Sequence, residues 1–218
     1  MPTLDIVVLV SGRGSNLAAI FDAIDAGRCD ARVVGVVSDK ADAGALALAA
    51  ARGVSTRVVP LARGADRDTW NVALADAVAA LTPQVVVLAG FMRILGAPLL
   101  ERFPGKLVNV HPSLLPAFPG HDAPAQAVAA GVRITGCTVH VVDHGVDTGP
   151  ILAQAAVPVL PSDDIASLHA RIQRAEHELL PTVIDWLARG RMSLAPPSLR
   201  DAPMPDGCFI APRFDATP

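Results

Sequence analysis

An asparagine and a histidine that could assist acyl transfer lie two positions apart in the segment NVHPSLLPAFPG, residues 109–120. Side chains alternate along a strand, so Asn109 and His111 point to the same face, and Pro112 then ends the strand. The amide and the imidazole can both hydrogen-bond an oxyanion, and the imidazole can also pass a proton. The pair therefore indicates acyl-transfer chemistry.

Carboxylates occur in a second polar loop, within the segment VHVVDHGVDTGPI at residues 139–151. Asp143 and Asp147 flank a histidine, and two glycines predict a tight loop that folds back on itself. One of these carboxylates could orient His111 or hold a water that carries protons. The alternative is a solvated turn that is capped by its own aspartates.

The histidines and cysteines form no recognisable metal-binding pattern. Alternation along the strand sends His140 to a different side from the loop residues around His144, so we expect no metal site. Cys29, Cys137 and Cys208 are scattered and odd in number, which fits neither a zinc motif nor a set of disulfides. Such cysteine usage is typical of a reducing cytosol.

A glycine-containing loop, SGRGSN at residues 11–16, joins a predicted strand to a predicted helix. Its glycines let the backbone approach an anion, and Ser15 and Asn16 present amides at the start of the helix. A phosphate group would fit there, and a tight turn that simply needs glycine is an equal alternative. The loop lacks the third glycine of the dinucleotide fingerprint and the Lys-Ser/Thr pair of a Walker loop.

A fourth loop, GFMRILG at residues 90–96, follows the apolar run VVVLAG. Its apolar side chains and free backbone groups could form a wall for a flat heterocycle, because ligand sites are mostly apolar with a few polar anchors. The alternative is ordinary core packing.

These loops connect short apolar runs that alternate with helical patterns. Strands are predicted at residues 5–10, 31–37, 56–60, 85–90, 107–110 and 135–142, and helices at 16–26, 43–52, 66–81, 124–130 and 162–188. This alternation predicts an α/β fold with a doubly wound, mostly parallel sheet and helices on both faces. Ligands bind such sheets beyond the carboxyl ends of the strands, where loops of this kind lie.

Length and composition favour one domain with an appendage. For the 218 residues we predict a domain at 1–190 and a proline-rich tail at 191–218 with a short hairpin. A net charge of -3 gives no footprint for nucleic acid, and no apolar run reaches the roughly 20 residues of a membrane helix. The first ten residues lack the features of a signal peptide, so we expect a cytoplasmic protein.

The four loops, in this order and spacing, resemble the phosphoribosylglycinamide formyltransferases from about Ile6 to about Arg191. The segments FMRIL, NVHPSLLP and GCTVHVVDHGVDTGPI carry the resemblance. It implies a Rossmann-like domain that transfers a formyl group from 10-formyltetrahydrofolate to the amine of 5'-phosphoribosylglycinamide in purine synthesis, without a metal. The substrates are then small molecules, and a monomer and a homodimer are both compatible with the sequence.

Roles for individual residues follow from the resemblance alone. In the implied mechanism the acceptor amine attacks the formyl carbon directly, through a tetrahedral intermediate. The implied catalytic residues are Asn109, His111 and Asp147. The implied contacts with phosphoribosylglycinamide are Gly14, Ser15, Asn16, Gln173 and Glu176. The implied contacts with 10-formyltetrahydrofolate are Arg67, Met92, Arg93, Ile94, Leu95, Asn109, Asp143, His144, Gly145, Val146 and Asp147.

Other functions share part of this pattern. A methionyl-tRNA formyltransferase needs a further domain and a basic surface, which this length and charge do not supply. A formyltetrahydrofolate deformylase would hydrolyse the same donor, and a non-catalytic nucleotide-binding module is also compatible with the fold. The chain departs from the family at Pro124, where relatives commonly have a histidine, and His121 is a possible substitute.

Overall fold

Strands and helices alternate along the chain, as the sequence pattern predicts. A computed structural model describes residues 3–194, 197–199 and 209–210. The strands are β1 (Leu4–Val10), β2 (Ala31–Ser38), β3 (Thr56–Val58), β4 (Val85–Leu88), β5 (Leu107–His111), β6 (Ile134–Val141), β7 (Ile151–Pro158), β8 (Met192–Leu194), β9 (Pro197–Leu199) and β10 (Phe209–Ile210). The helices are α1 (Ser15–Asp25), α2 (Gly44–Ala51), α3 (Arg67–Ala79), α4 (Ala97–Arg102), α5 (Ala123–Ala129) and α6 (Ile165–Ala188).

The main sheet places five parallel strands side by side. Its order is β10-β7-β6-β5-β4-β1-β2-β3, in which β1 to β5 form parallel pairs and β6 and β7 join antiparallel. Both faces are covered: Val8 of β1 packs into a core with α1 and α6, whereas Val7 packs into a core with α3 and α4. The predicted doubly wound, mostly parallel α/β class is confirmed.

The strand order reverses beside β1, and this reversal creates the space for a site. The chain leaves β1 toward β2 on one side and later returns to β4 on the other side. The loops that follow β1 and β4 therefore diverge, and a crevice opens beyond the carboxyl ends of these strands.

The sequence pattern misses two elements and misplaces the start of a third. Helix α4 is short, and β7 contains several alanines, which favour helices in isolation; pairing with β6 overrides that propensity. Helix α6 begins at Ile165 rather than near Ser162. Asp164 lies outside the helix as its N-cap and accepts a hydrogen bond from the N–H of Ser167.

The predicted hairpin after the long helix is present and consists of β8 and β9. Strand β10 pairs antiparallel with β7 and extends that edge of the main sheet. The other residues of the predicted tail, 195–196, 200–208 and 211–218, lie outside the described residues. Among the helices described, none is both long enough and apolar enough to cross a bilayer.

Candidate active site

A cleft of about 490 Å³ lies between the loops that follow β4 and β5 and the loop that joins β6 to β7. Its apolar lining includes Phe91, Met92, Ile94, Leu95, Val142 and Val146, and its polar lining includes Asn109, His111, His140, Asp143 and Asp147. A largely apolar wall with a few convergent polar groups suits an organic ligand. The three residues that the resemblance implies to be catalytic all line this one cavity.

His111 is buried at the end of β5, and both of its ring nitrogens face hydrogen-bond acceptors. Nε2 lies 2.9 Å from the carbonyl oxygen of Phe118, and Nδ1 lies 3.3 Å from Oδ2 of Asp147. Only the imidazolium form carries a hydrogen on both nitrogens, so this geometry favours the protonated ring. A cationic donor of this kind is suited to stabilise an oxyanion.

Asp147 lies between two histidines and a backbone amide. Its Oδ2 accepts a hydrogen bond from the N–H of Gly120 at 2.8 Å, and its Oδ1 lies 3.5 Å from Nε2 of His140. Partial burial favours the neutral carboxyl, but the hydrogen bond from the N–H of Gly120 and the positive charge of His111 outweigh it, so the pKa of Asp147 is lowered. An ionised carboxylate therefore faces the ring of His111 at neutral pH.

Asn109 is linked to Asp147 through His140, a residue that the sequence analysis does not assign to the site. The Nδ2 atom of Asn109 lies 3.1 Å from Nε2 of His140. Nδ1 of His140 lies 3.0 Å from the carbonyl oxygen of Val141, so Nδ1 carries a hydrogen. Because the backbone fixes the buried ring, His140 can hold the side-chain amide of Asn109 at the cleft wall.

The prediction that alternation separates His140 from the loop residues is wrong. Strands β5 and β6 pair in a register that sets His140 opposite Asn109, and the following loop folds back so that Asp147 reaches both. Asp147 adopts a φ of 54°, a left-handed conformation that is uncommon outside glycine and turns the chain sharply. Within the described residues, no group of three or more His, Cys, Asp or Glu has the arrangement of a metal site.

The loop after β4 provides an apolar wall, as the sequence predicts. Met92 and Ile94 are 67% and 64% exposed, whereas Phe91 is buried and stacks on Trp70 with ring centroids 6.5 Å apart. Exposed apolar side chains that line a cleft are available to a ligand with an apolar face. The core thus anchors the start of the loop and leaves its tip for binding.

The opposite wall comes from the loop between β6 and β7. The carboxylate of Asp143 accepts hydrogen bonds from the N–H of Gly145 at 3.0 Å and from the hydroxyl of Thr148 at 2.7 Å, so it stabilises the turn itself. A Cβ at position 145 would collide with the Thr148 hydroxyl, so the turn requires glycine. Val146 lines the cleft, whereas His144 is exposed and lies outside its lining.

The two arginines implied in folate binding lie at a neighbouring cavity of about 390 Å³. Arg67 donates a hydrogen bond to the carbonyl oxygen of Ile94 at 2.8 Å, and its guanidinium lies over the ring of Trp70. Arg93 also lines the main cleft, and its Nε lies 2.6 Å from the carboxylate of Asp39. Both cationic groups therefore stabilise the apolar loop from outside.

The rim of the cleft contains the position where the chain departs from the family pattern. Pro124 lies in the first turn of α5 and lines the cleft. His121 also lines it, and its exposed ring lies 3.0 Å from the carboxylate of Asp122. The imidazole nearest to position 124 in sequence is thus directed to an exposed neighbour at the rim.

The loop SGRGSN forms the entry to α1. Gly14 has a φ of 86°, and a Cβ there would lie 2.6 Å from Cβ of Ala45, so only glycine fits. No side chain caps the start of α1, whose first amides belong to Ser15 and Asn16. The uncapped N–H groups and the helix dipole together make this turn suitable for an anion such as phosphate.

Glu176 of α6 connects this turn to the long helix. Its buried carboxylate accepts a hydrogen bond from Nδ2 of Asn16 at 3.0 Å, and Oδ1 of Asn16 is buried without a partner. Burial raises the pKa of Glu176 to about 7, against the opposing effect of that hydrogen bond. Gln173 lies three positions earlier on the same helix face. Among the residues implied in acceptor binding, Asn16 and Glu176 thus meet at the start of α1, and none of the set lines the cleft.

Glu176→Gln is expected to stabilise the protein more at pH 8.5 than at pH 5. The raised pKa means that the folded state favours the protonated carboxyl, so its stability contribution is complete below about 4.5 and is lost as the pH rises through about 7. Glutamine stays neutral, and the full effect corresponds to about 3 kcal/mol at high pH. Thermal melts across this pH range measure it; a melting-temperature difference that does not change with pH would contradict it.

The site combines a buried histidine, an ionised carboxylate that contacts it and an apolar cleft at the edge of a doubly wound sheet. Such a combination is typical of an enzyme that acts on a carbonyl group of an organic substrate. The sequence places it within one group of such enzymes. Residues 4–184 match the formyl transferase family, and the chain belongs to that family.

Proteins similar to this chain include named phosphoribosylglycinamide formyltransferases. It is 51% identical over 183 residues to the phosphoribosylglycinamide formyltransferase of Mycobacterium tuberculosis strain H37Rv, with 84% of each chain covered. It superposes on glycinamide ribonucleotide transformylase 1 from Symbiobacterium toebii with a TM-score of 0.87 and 44% identity, over 91% of this chain and 95% of that one. A formyltetrahydrofolate deformylase from Pseudomonas syringae, at 23% identity and a TM-score of 0.82, shares the fold; 98% of this chain and 66% of that one are covered.

Proposed function

We propose that this protein transfers a formyl group from 10-formyltetrahydrofolate to the amine of 5'-phosphoribosylglycinamide, and that it acts on these small molecules in the cytoplasm. The products are the formylglycinamide ribonucleotide and tetrahydrofolate. The observation that carries the proposal is the meeting of Asn109, His111 and Asp147 at one end of an apolar cleft. Relatives with this named activity cover most of the chain and support it.

The two substrates require different surroundings, and the site offers both. The pterin of the folate is a flat heterocycle, and its two faces can pack against the exposed apolar side chains of Met92, Ile94 and Val146. The phosphate of the acceptor fits the uncapped start of α1, where Ser15 and Asn16 supply amides. Glu176 and Gln173 are then proposed to contact the sugar and the glycinamide part of the acceptor.

The reaction proceeds by direct attack. The amine nitrogen bonds to the formyl carbon, and the carbonyl electrons move to oxygen to give a tetrahedral oxyanion. His111 and Asn109 donate hydrogen bonds to this oxyanion, which as a charged acceptor outcompetes the Phe118 carbonyl for Nε2–H. The bond from carbon to folate N10 then breaks, and N10 receives the proton that the amine loses. Asp147 keeps His111 cationic during this step.

An acceptor-dependence assay tests the function. The purified protein is mixed with 10-formyltetrahydrofolate, and deformylation is followed spectroscopically with and without 5'-phosphoribosylglycinamide. Turnover that requires the ribonucleotide is expected, because the anion site and the cleft act together on two substrates. Turnover without it would instead establish a deformylase, and absence of turnover under both conditions would leave the binding-module alternative.

A further inference from the structure

A buried carboxylate connects the two loops that are proposed to bind the two substrates. Asp39 follows β2, and its side chain is fully shielded from solvent. Oδ1 accepts a hydrogen bond from the hydroxyl of Ser11 at 2.6 Å, and Oδ2 lies 2.6 Å from Nε of Arg93. Ser11 opens the anion-binding turn, and Arg93 belongs to the apolar loop. One carboxylate therefore contacts both loops.

The hydroxyl of Ser11 extends this connection to the backbone of the apolar loop. Oγ of Ser11 accepts a hydrogen bond from the N–H of Met92 at 2.9 Å, and the N–H of Ser11 donates to the carbonyl oxygen of Gly90 at 3.2 Å. The serine is thus held at its backbone and at its side chain by the loop that follows β4. Its position sets where the anion-binding turn begins relative to the cleft.

The direction of these hydrogen bonds depends on Asp39. An ionised carboxylate only accepts, so the single hydroxyl hydrogen of Ser11 must point to Asp39. The lone pairs of that oxygen are then left for the N–H of Met92, and the two bonds strengthen one another. Arg93 balances the buried charge, which would otherwise be costly, and this commits its guanidinium to Asp39.

We infer that Asp39 is a positioning residue that fixes the cleft wall relative to the anion-binding turn and so sets the affinity for the formyl donor. It touches no proposed substrate and acts through Ser11 and Arg93. The inference rests on the proposed function for its kinetic consequence, and its structural consequence can be measured without substrate. A carboxylate at this position lets a single side chain hold both loops.

The steady-state kinetics of variants at Asp39 and at Ser11 test the inference. Asp39→Ala is expected to raise KM for 10-formyltetrahydrofolate about tenfold while kcat stays within about threefold, because the wall moves and the reacting groups do not. Asp39→Asn keeps an acceptor for the Ser11 hydroxyl and is expected to restore KM to within about threefold of the original. Ser11→Ala leaves the ion pair intact and is expected to raise KM as Asp39→Ala does, which covers the case in which Asp39→Ala folds poorly.

A matched control removes an ion pair far from the cleft. Asp185→Ala breaks the 2.7 Å pair with Arg189 at the end of α6 and is expected to leave KM unchanged. A KM unchanged in folded Asp39→Ala and Ser11→Ala, or an Asp39→Asn variant no better than Asp39→Ala, would overturn the inference. These results are distinguishable from failure of the proposed function, in which the unmodified protein itself shows no acceptor-dependent turnover.

Amide hydrogen exchange gives a readout that needs no activity. The N–H of Met92 donates to Ser11, so its exchange is expected to accelerate about tenfold or more in Asp39→Ala and in Ser11→Ala. Asp185→Ala is expected to leave the exchange of the 90–96 segment unchanged. Equal protection of this amide in all of these variants would show that Asp39 does not position the loop.

Discussion

Replacing His111 with alanine is expected to lower kcat about 100- to 1000-fold, because removal of one hydrogen-bond donor to a developing oxyanion typically has an effect of this size. The residue is suited to this role because its buried ring faces the carboxylate of Asp147 and the carbonyl of Phe118, which together favour the charged donor. The charge has more effect in a cleft of low polarity than in water. Steady-state assays at saturating concentrations of both substrates measure kcat.

A second substitution separates the hydrogen bond of His111 from its charge. His111→Asn keeps a neutral donor near the same position and is expected to recover part of the rate lost in His111→Ala, while remaining well below the original enzyme. Binding of tetrahydrofolate, which has no formyl group, is expected to change little in either variant. A kcat within about fivefold of the original in a folded His111→Ala protein would remove this residue from the mechanism.

The parts of the site that the sequence predicts are those that local periodicity determines. Asn109 and His111 share a face because they lie two apart on one strand, and Pro112 ends that strand wherever its neighbours lie. The turn at Gly14 is equally local, since a buried strand, a glycine and an apolar helical stripe follow one another in the chain. Such features need no knowledge of distant contacts.

The parts that the sequence does not predict depend on pairing between distant segments. His140 enters the site through the antiparallel register of β6 with β5, which alternation within β6 alone does not specify. Asp39 joins the loops after β1 and β4 because the strand order reverses beside β1. A signal for His140 was present in the sequence, as a histidine in the apolar strand that precedes the aspartate loop needs a buried polar partner.

The α/β fold class can be predicted from the sequence for a similar reason, but the strands at the antiparallel edge of the sheet cannot. Strand β4 and the central parts of β1 and β2, residues 6–10 and 33–37, are apolar because the sheet is covered on both faces there, and the pattern reveals them. Strand β7 is poor in large side chains and pairs only at the antiparallel side of the sheet, so its conformation is set by β6. Local propensity alone therefore predicts the parallel strands in the interior of this sheet better than the antiparallel strands at its edge.

Asp147→Asn is expected to lower kcat about 100-fold, at the low end of the range for groups that support proton transfer. The N–H of Gly120 needs an acceptor, so the amide oxygen of the new side chain takes that position. This amide oxygen then faces Nδ1 of His111 as Oδ2 of the carboxylate did, but without the negative charge, and the NH2 group takes the place of Oδ1 beside Nε2 of His140. A neutral acceptor stabilises the imidazolium less than a carboxylate does, so the cationic donor to the oxyanion is weakened.

The pH dependence of stability separates this electrostatic role from simple packing. The pKa of Asp147 is lowered from its ordinary value of 3.8, so its stability contribution is complete above about 3.8 and is lost as the pH falls through the lower folded value. The melting temperature of Asp147→Asn is therefore expected to lie below that of the original protein at pH 7, and the gap is expected to narrow toward pH 3. A gap that stays constant, together with normal kcat, would mean that the carboxylate neither charges the histidine nor contributes to transfer.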